Sequence, residues 1–327
     1  MRGNMVKRLD YLDIAKGILI ILVVIGHIWQ SGPVFNIIYA FHMPAFFLIS
    51  GMLLQHTGSY RKPFDVFLKS RLFSFGIPFI FIEFLGCLTD IIRHGVTLNW
   101  KGYLYNTLTF HFNDPNLWFL MDLFLCEIMF FMLLRYIKEP RLVVLIVIML
   151  YIISRFIRSD ITYIGTVRLT LYFSLFFAVG FFAPGYINRW NTFACLISAT
   201  IVLLVGILLG KNDGNTLTLK GLAYIISGLC GSYVVIHAGK IVLPEKMSRT
   251  LAKIGMNTII IYGTHHIIYA TIGVLLGYTD FGSIPLIPGV IMLLGVTILE
   301  IPIIYIINRW VPWLAGKRKR KPSTALK

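Results

Sequence analysis

Leu12-Asp13-Ile14-Ala15-Lys16-Gly17-Ile18-Leu19-Ile20-Ile21-Leu22-Val23-Val24-Ile25-Gly26-His27-Ile28-Trp29-Gln30-Ser31 decides the fold class. About twenty mostly apolar residues is the length a helix needs to cross the hydrocarbon core of a bilayer. The same window finds nine further runs, at 36–54, 72–92, 117–136, 141–157, 166–184, 192–210, 219–239, 257–277 and 284–308. Each is too long for a strand and is bounded by Gly, Pro, Asn or charge. With no water to satisfy exposed peptide groups, helices are the solution open to them. The expectation is an all-α polytopic integral membrane bundle of about ten transmembrane helices. One transmembrane domain over 1–327, with no appended soluble domain, is expected.

Composition agrees. The chain is 57% hydrophobic and 13% charged, against about a quarter charged in an ordinary globular domain. A net charge of +16 raises the question of nucleic acid, but the basic residues sit between apolar runs and form no face. A soluble nucleic-acid binder is excluded. With the N-terminus placed in the cytoplasm, 22 Lys and Arg fall in inner loops and 6 in outer ones, a bias that puts both termini inside. The run Lys317 to Lys321 then reads as a topology anchor near anionic lipid. The four cysteines lie in apolar runs without metal or disulfide spacing. Gly206-x-x-x-Gly210 and Gly273-x-x-x-Gly277 read as small-residue helix contacts.

Ionisable side chains inside spans are costly, so each is a candidate for function. The first span carries Asp13, Lys16 and His27. Eleven residues turn an ideal helix to within about 20° of whole turns, so Lys16 and His27 share a face about 16 Å apart. Asp13 lies one turn from Lys16 and can pair with it. The second span holds His42 followed by Pro44, where a proline kink would open a polar cavity. Further candidates are Lys69, Arg71, Glu83, Asp90, Trp118, Asp122, Glu127, Arg168 and Glu300, with Asp122 and Arg168 a possible ion pair. His265 and His266 are adjacent, about 100° apart, and so are not expected in one cavity. No metal site is indicated. Buried charges of this kind also suit a transporter or exporter of a saccharide or small solute.

Taken in order, these residues resemble a known family. Arg8-Leu-Asp-Tyr-Leu-Asp13-Ile-Ala-Lys16-Gly17, His27, and Phe41-His42-Met43-Pro44 through Ser50-Gly51 are similar to the acyltransferase-3 family, nearest its fucose 4-O-acetylase-like branch. Lys69-Ser-Arg71 with Pro78, Leu117-Trp118-Phe119-Leu120, Phe176 to Gly180, and Gly255-x-Asn257-Thr258 through His265 extend the resemblance over nearly the whole chain. Family members often carry Arg where Lys16 stands. Many have an acidic pair where this chain has Leu123-Phe124, leaving Asp122 and Glu127 as substitutes.

The resemblance implies transfer of an acyl group, usually acetyl, from cytoplasmic acyl-CoA to a saccharide hydroxyl at the cell membrane. Acetyl-CoA is expected as co-substrate, with no permanently bound cofactor. The expected partners are the lipid bilayer and a saccharide or glycan acceptor. Lys16, Lys69 and Arg71 would meet the CoA phosphates. His27 would act as general base, with His42 or His265 donating to the oxyanion, or one imidazole would carry the acyl group. Asp13, Trp118, Asp122 and Arg168 are the residues expected to contact substrate.

Overall fold

An apolar chain in lipid must bond its peptide groups within its own helices, and every run expected to span the bilayer does so. The computed structural model describes residues 9–95, 99–109, 111, 112, 114, 116–157, 162–210, 218–241, 243–278 and 284–318. In chain order the helices are α1 (Asp10–Ile28), α2 (Gly32–Tyr39), α3 (His42–Thr57), α4 (Phe64–Arg71), α5 (Ile77–His94) and α6 (Trp100–Leu108). There follow α7 (Trp118–Tyr136), α8 (Pro140–Phe156), α9 (Thr162–Phe182), α10 (Pro184–Ile187) and α11 (Thr192–Leu209). The last are α12 (Leu219–Ala238), α13 (Glu245–Met256), α14 (Thr258–Leu275) and α15 (Leu286–Trp310). No strand occurs among the described residues. The chain is an all-α polytopic membrane bundle.

Among the described residues, eight helical segments are long and apolar enough to cross a membrane. Of the ten expected runs, the other two are α7, which carries Asp122, Glu127 and Arg135, and α8, which is 17 residues long. Both pack against α9. Two prolines shape the helices, one of them differently from expectation. The chain breaks at Ala40-Phe41, so Pro44 falls in the first turn of α3, where a helix amide has no partner to lose. The expected kink is therefore a full break. Pro78 cannot donate to the Ser74 carbonyl, and the chain widens there into a π-helical turn over Leu72–Gly76. Helix thus runs from Phe64 to His94, beginning eight residues before the expected span.

The frame is set by two backbone-to-backbone approaches. A Cβ at Gly180 would stand 1.9 Å from the Leu48 carbonyl oxygen, and one at Gly51 would stand 2.1 Å from that of Phe177. These glycines let α3 and α9 touch along their main chains. Gly17 and Gly255 do the same for α1 and α13, with Cβ positions 2.2 Å from Leu251 O and 1.8 Å from Asp13 O. Close approach of this kind replaces the hydrophobic drive that lipid cannot supply. Helix α1 also touches α2, α3, α12, α14 and α15, so it lies at the centre of the bundle. Of the four glycines expected at helix contacts, Gly206 packs on Ile37, while Gly210 and Gly277 turn the chain at helix ends with φ of +69° and +84°.

Gly180→Val would force α3 and α9 apart. It is expected to cost about 1–3 kcal/mol or more and to lower the thermal midpoint of the detergent-solubilised protein. Gly76→Ala, whose added methyl meets open space, should leave that midpoint in place.

Candidate active site

Three buried histidines reach one region from three helices. His27 ends α1, His42 opens α3 and His265 lies in the middle of α14. His265 Nδ1 lies 2.8 Å from the Ile261 carbonyl oxygen, which can only accept, so Nδ1 carries the proton. In the neutral ring, Nε2 is then an acceptor. It lies 2.7 Å from His27 Nδ1, which must therefore donate. The remaining nitrogen, His27 Nε2, is left with its lone pair. The two rings stack with centroids 5.0 Å apart. The backbone of α14 thereby fixes the tautomer of a side chain on α1, the outer-partner arrangement by which histidines are commonly set for a role.

This geometry revises the expected role of His265. Both its nitrogens are engaged, so it holds His27 and has no N–H left for an oxyanion. His42 Nδ1 similarly donates to Ile38 O at 2.8 Å. Its Nε2 is an acceptor in the neutral ring and a donor only in the cation. As expected, the neighbouring histidine faces elsewhere: His266 Nδ1 lies 3.2 Å from Asp114 Oδ2, and Asp114 Oδ1 accepts from the Asn116 backbone at 2.8 Å.

Two cavities run along the Lys16–His27 face of α1. The first, about 210 Å³, is lined by His27 and His42 with Tyr39, Asn116, Trp118 and Tyr172 among its walls. The second, about 520 Å³, lies toward Lys16 and includes Lys62, Arg71, Glu127, Asn257 and Lys317. Phe46, Phe119, Thr258 and Tyr262 belong to both linings. These four side chains, three of them rings, form a layer where the two spaces meet. The Tyr262 hydroxyl donates to the Asn116 carbonyl oxygen, which pins this layer to the segment before α7.

The remaining expected residues divide. Lys16 lines the larger cavity and pairs with Asp13 at 2.9 Å, as the spacing required. Arg71 lines it too, with Nε 2.5 Å from Glu127 Oε2 and Nη2 donating to Ser59 Oγ at 2.8 Å. Lys69 is exposed on α4 and lines neither cavity. Trp118 lines the smaller cavity, stacked on Phe173. Asp122 is buried and accepts from Thr170 Oγ1 at 2.8 Å, and among the described residues no ion pair joins it to Arg168. Neither Asp122 nor Arg168 lines either cavity. Arg8, part of the motif preceding α1, lies outside the described residues.

Sequence reading missed Tyr39 and Asn116, which carry no charge, and gave no role to Asn257 and Tyr262, although both lie in the Gly255 to His265 motif that carries the resemblance. It also took Lys317 for part of a lipid anchor, whereas Lys317 Nζ reaches Asn257 Oδ1 at 2.6 Å and Asn308 Oδ1 at 2.8 Å.

Glu127→Ala should strand the guanidinium of a largely buried pair and lower unfolding free energy by about 3 kcal/mol. Glu245→Ala, in the exposed Glu245–Arg249 pair, should cost less than about 1 kcal/mol. Denaturant titrations in one detergent compare the two directly.

Comparison with known proteins gives the chemistry a family. A family model described as an acyltransferase domain matches residues 9–309, from just before α1 to the end of α15. The nodulation protein NolL of Mesorhizobium japonicum is 40% identical over 80 residues, which is 21% of this chain and 21% of that protein. NolL of Sinorhizobium fredii is 41% identical over 80 residues, 21% of this chain and 22% of that protein. The chain thus matches about a fifth of the length of these curated relatives. No solved structure matches it. The breadth of the family match, across α1 to α15, carries the assignment: this chain belongs to the acyltransferase-3 family.

Proposed function

We propose that the chain transfers an acetyl group from cytoplasmic acetyl-CoA to a hydroxyl of a saccharide acceptor in the cell membrane. The single observation that carries this reading is the relay from Ile261 O through His265 to His27, which leaves Nε2 as a base on a residue of the smaller cavity, next to the cation-lined one. Both termini are taken as cytoplasmic, which puts the larger cavity on the side where acyl-CoA is found. Its cations suit the polyanionic end of that donor. The smaller cavity has room for a short acyl group and the reacting hydroxyl.

In the reaction, the acceptor oxygen attacks the thioester carbonyl carbon while His27 Nε2 takes the hydroxyl proton. A C–O bond forms, the C–S bond breaks, and the proton passes from His27 to the departing thiolate. The imidazolium formed on the way is steadied through Nδ1 by His265. Because His265 and neutral His42 offer no free N–H, the oxyanion falls to neutral donors in the cavity wall, with the Asn116 carboxamide and the Trp118 indole N–H of the right type. The pantetheine arm must part the layer formed by Phe46, Phe119 and Tyr262 to reach His27.

Purified protein in liposomes with radiolabelled acetyl-CoA and a saccharide acceptor tests the reading. Wild type should move label to the acceptor. His27→Ala should abolish transfer, and His265→Ala should lower kcat by about 10²-fold or more with KM little changed. Full activity in His27→Ala sinks the base assignment, and solute flux without acyl consumption sinks the acyltransfer. Thr258→Trp, which thickens the layer between the cavities, should cut turnover while leaving the thermal midpoint close to wild type.

A further inference from the structure

The segment following α15 does more than end a span. After Trp310 the chain turns back through a 3-10 helix at Pro312–Ala315, and Lys317 N closes the turn on Pro312 O at 3.0 Å. Gly316 adopts φ +64°, and a Cβ there would stand 2.5 Å from Ser74 O. Ser74 is the residue whose carbonyl Pro78 leaves without its helical donor, so the turn seats against the widened π-helical stretch. Arg318 lies over the Phe73 ring, 5.6 Å from its centroid. The result is that Ala315 and Lys317 become wall residues of the larger cavity.

Lys317 is aimed, not loose. Two asparagine oxygens from different helices hold its ammonium, Asn257 at the α13–α14 junction and Asn308 near the end of α15. Asn308 Nδ2 also donates to Asn257 Oδ1 at 2.8 Å, which orients both carboxamides. Lys16, Lys62 and Arg71 stand around the same space, where Glu127 is the carboxylate in the lining and is paired with Arg71. A cavity so lined selects a ligand with several negative charges.

We infer that this returning segment forms part of the donor site and that Lys317 is a specificity-determining contact for a phosphate of the nucleotide end of acyl-CoA. The inference rests on the donor assignment made above and adds the residue and segment that read it. Asn257 and Asn308 are positioning residues that act through Lys317. Gly316 lets the segment lie close enough to Ser74 for the ammonium to reach the cavity.

Binding of coenzyme A and of pantetheine to the full chain in phosphatidylcholine nanodiscs, together with acetyl-CoA turnover, tests this. Lys317→Met is expected to weaken coenzyme A about tenfold and leave pantetheine unchanged, with KM for acetyl-CoA raised and kcat within about twofold. Lys317→Arg should recover most of the loss. Gly316→Val, which keeps the lysine but pushes the segment off Ser74, should reproduce the Lys317→Met pattern. Unchanged coenzyme A affinity in Lys317→Met overturns the proposal, and is the result expected if the ammonium instead meets a lipid headgroup phosphate. Equal loss for pantetheine and coenzyme A also overturns it, since that marks a structural wall. Failure of wild type to bind coenzyme A at all overturns the donor assignment itself, a distinct result from wild-type binding that is indifferent to Lys317.

Discussion

The hydrogen bond between His27 and His265 is the interaction on which the site depends. An imidazole alone in an apolar span has two tautomers and free rotation about χ2. Here a backbone carbonyl of α14 settles both. Ile261 O can only accept, so the proton on His265 Nδ1 is fixed, and the fixed ring then dictates which nitrogen of His27 is bare. The chain of donors works only if α1 and α14 keep their spacing to within a few tenths of an ångström. That demand reaches back to Gly17 and Gly255, which let α1 settle on the segment leading into α14.

The architecture around this bond follows from putting polar groups in a medium that does not solvate them. Several buried carboxylates have found a hydroxyl or a cation: Asp122 with Thr170, Glu300 with Thr264, Glu127 with Arg71. The helices that hold these groups need not be the most apolar. Helix α7 carries three charged residues, and neighbouring helices partner the two buried ones, Asp122 with Thr170 and Glu127 with Arg71.

Much of this was legible in the sequence. Apolar run lengths located the helices, and the eleven-residue spacing of Lys16 and His27 put both on the cavity side of α1. The Asp13–Lys16 pair and the divergence of His265 from His266 followed from helical geometry alone. Other features were not legible because they depend on partners distant in the chain. Nothing local distinguishes a histidine that holds another from one that donates to an oxyanion; the difference lies in Ile261 O and a ring 238 positions away. Lys69 and Arg71 are two residues apart on a helix and so face different ways, which left only Arg71 in the cavity. Lys317 looked like one member of a basic run until Gly316 and Asn257 were brought beside it.

The layer of Phe46, Phe119, Thr258 and Tyr262 has a further consequence for a cell that stores energy across its membrane. A string of ionisable and hydroxyl groups reaching through the bilayer would be a wire for protons. Three of the four side chains shared by the two cavities are rings, so that string is interrupted by apolar surface.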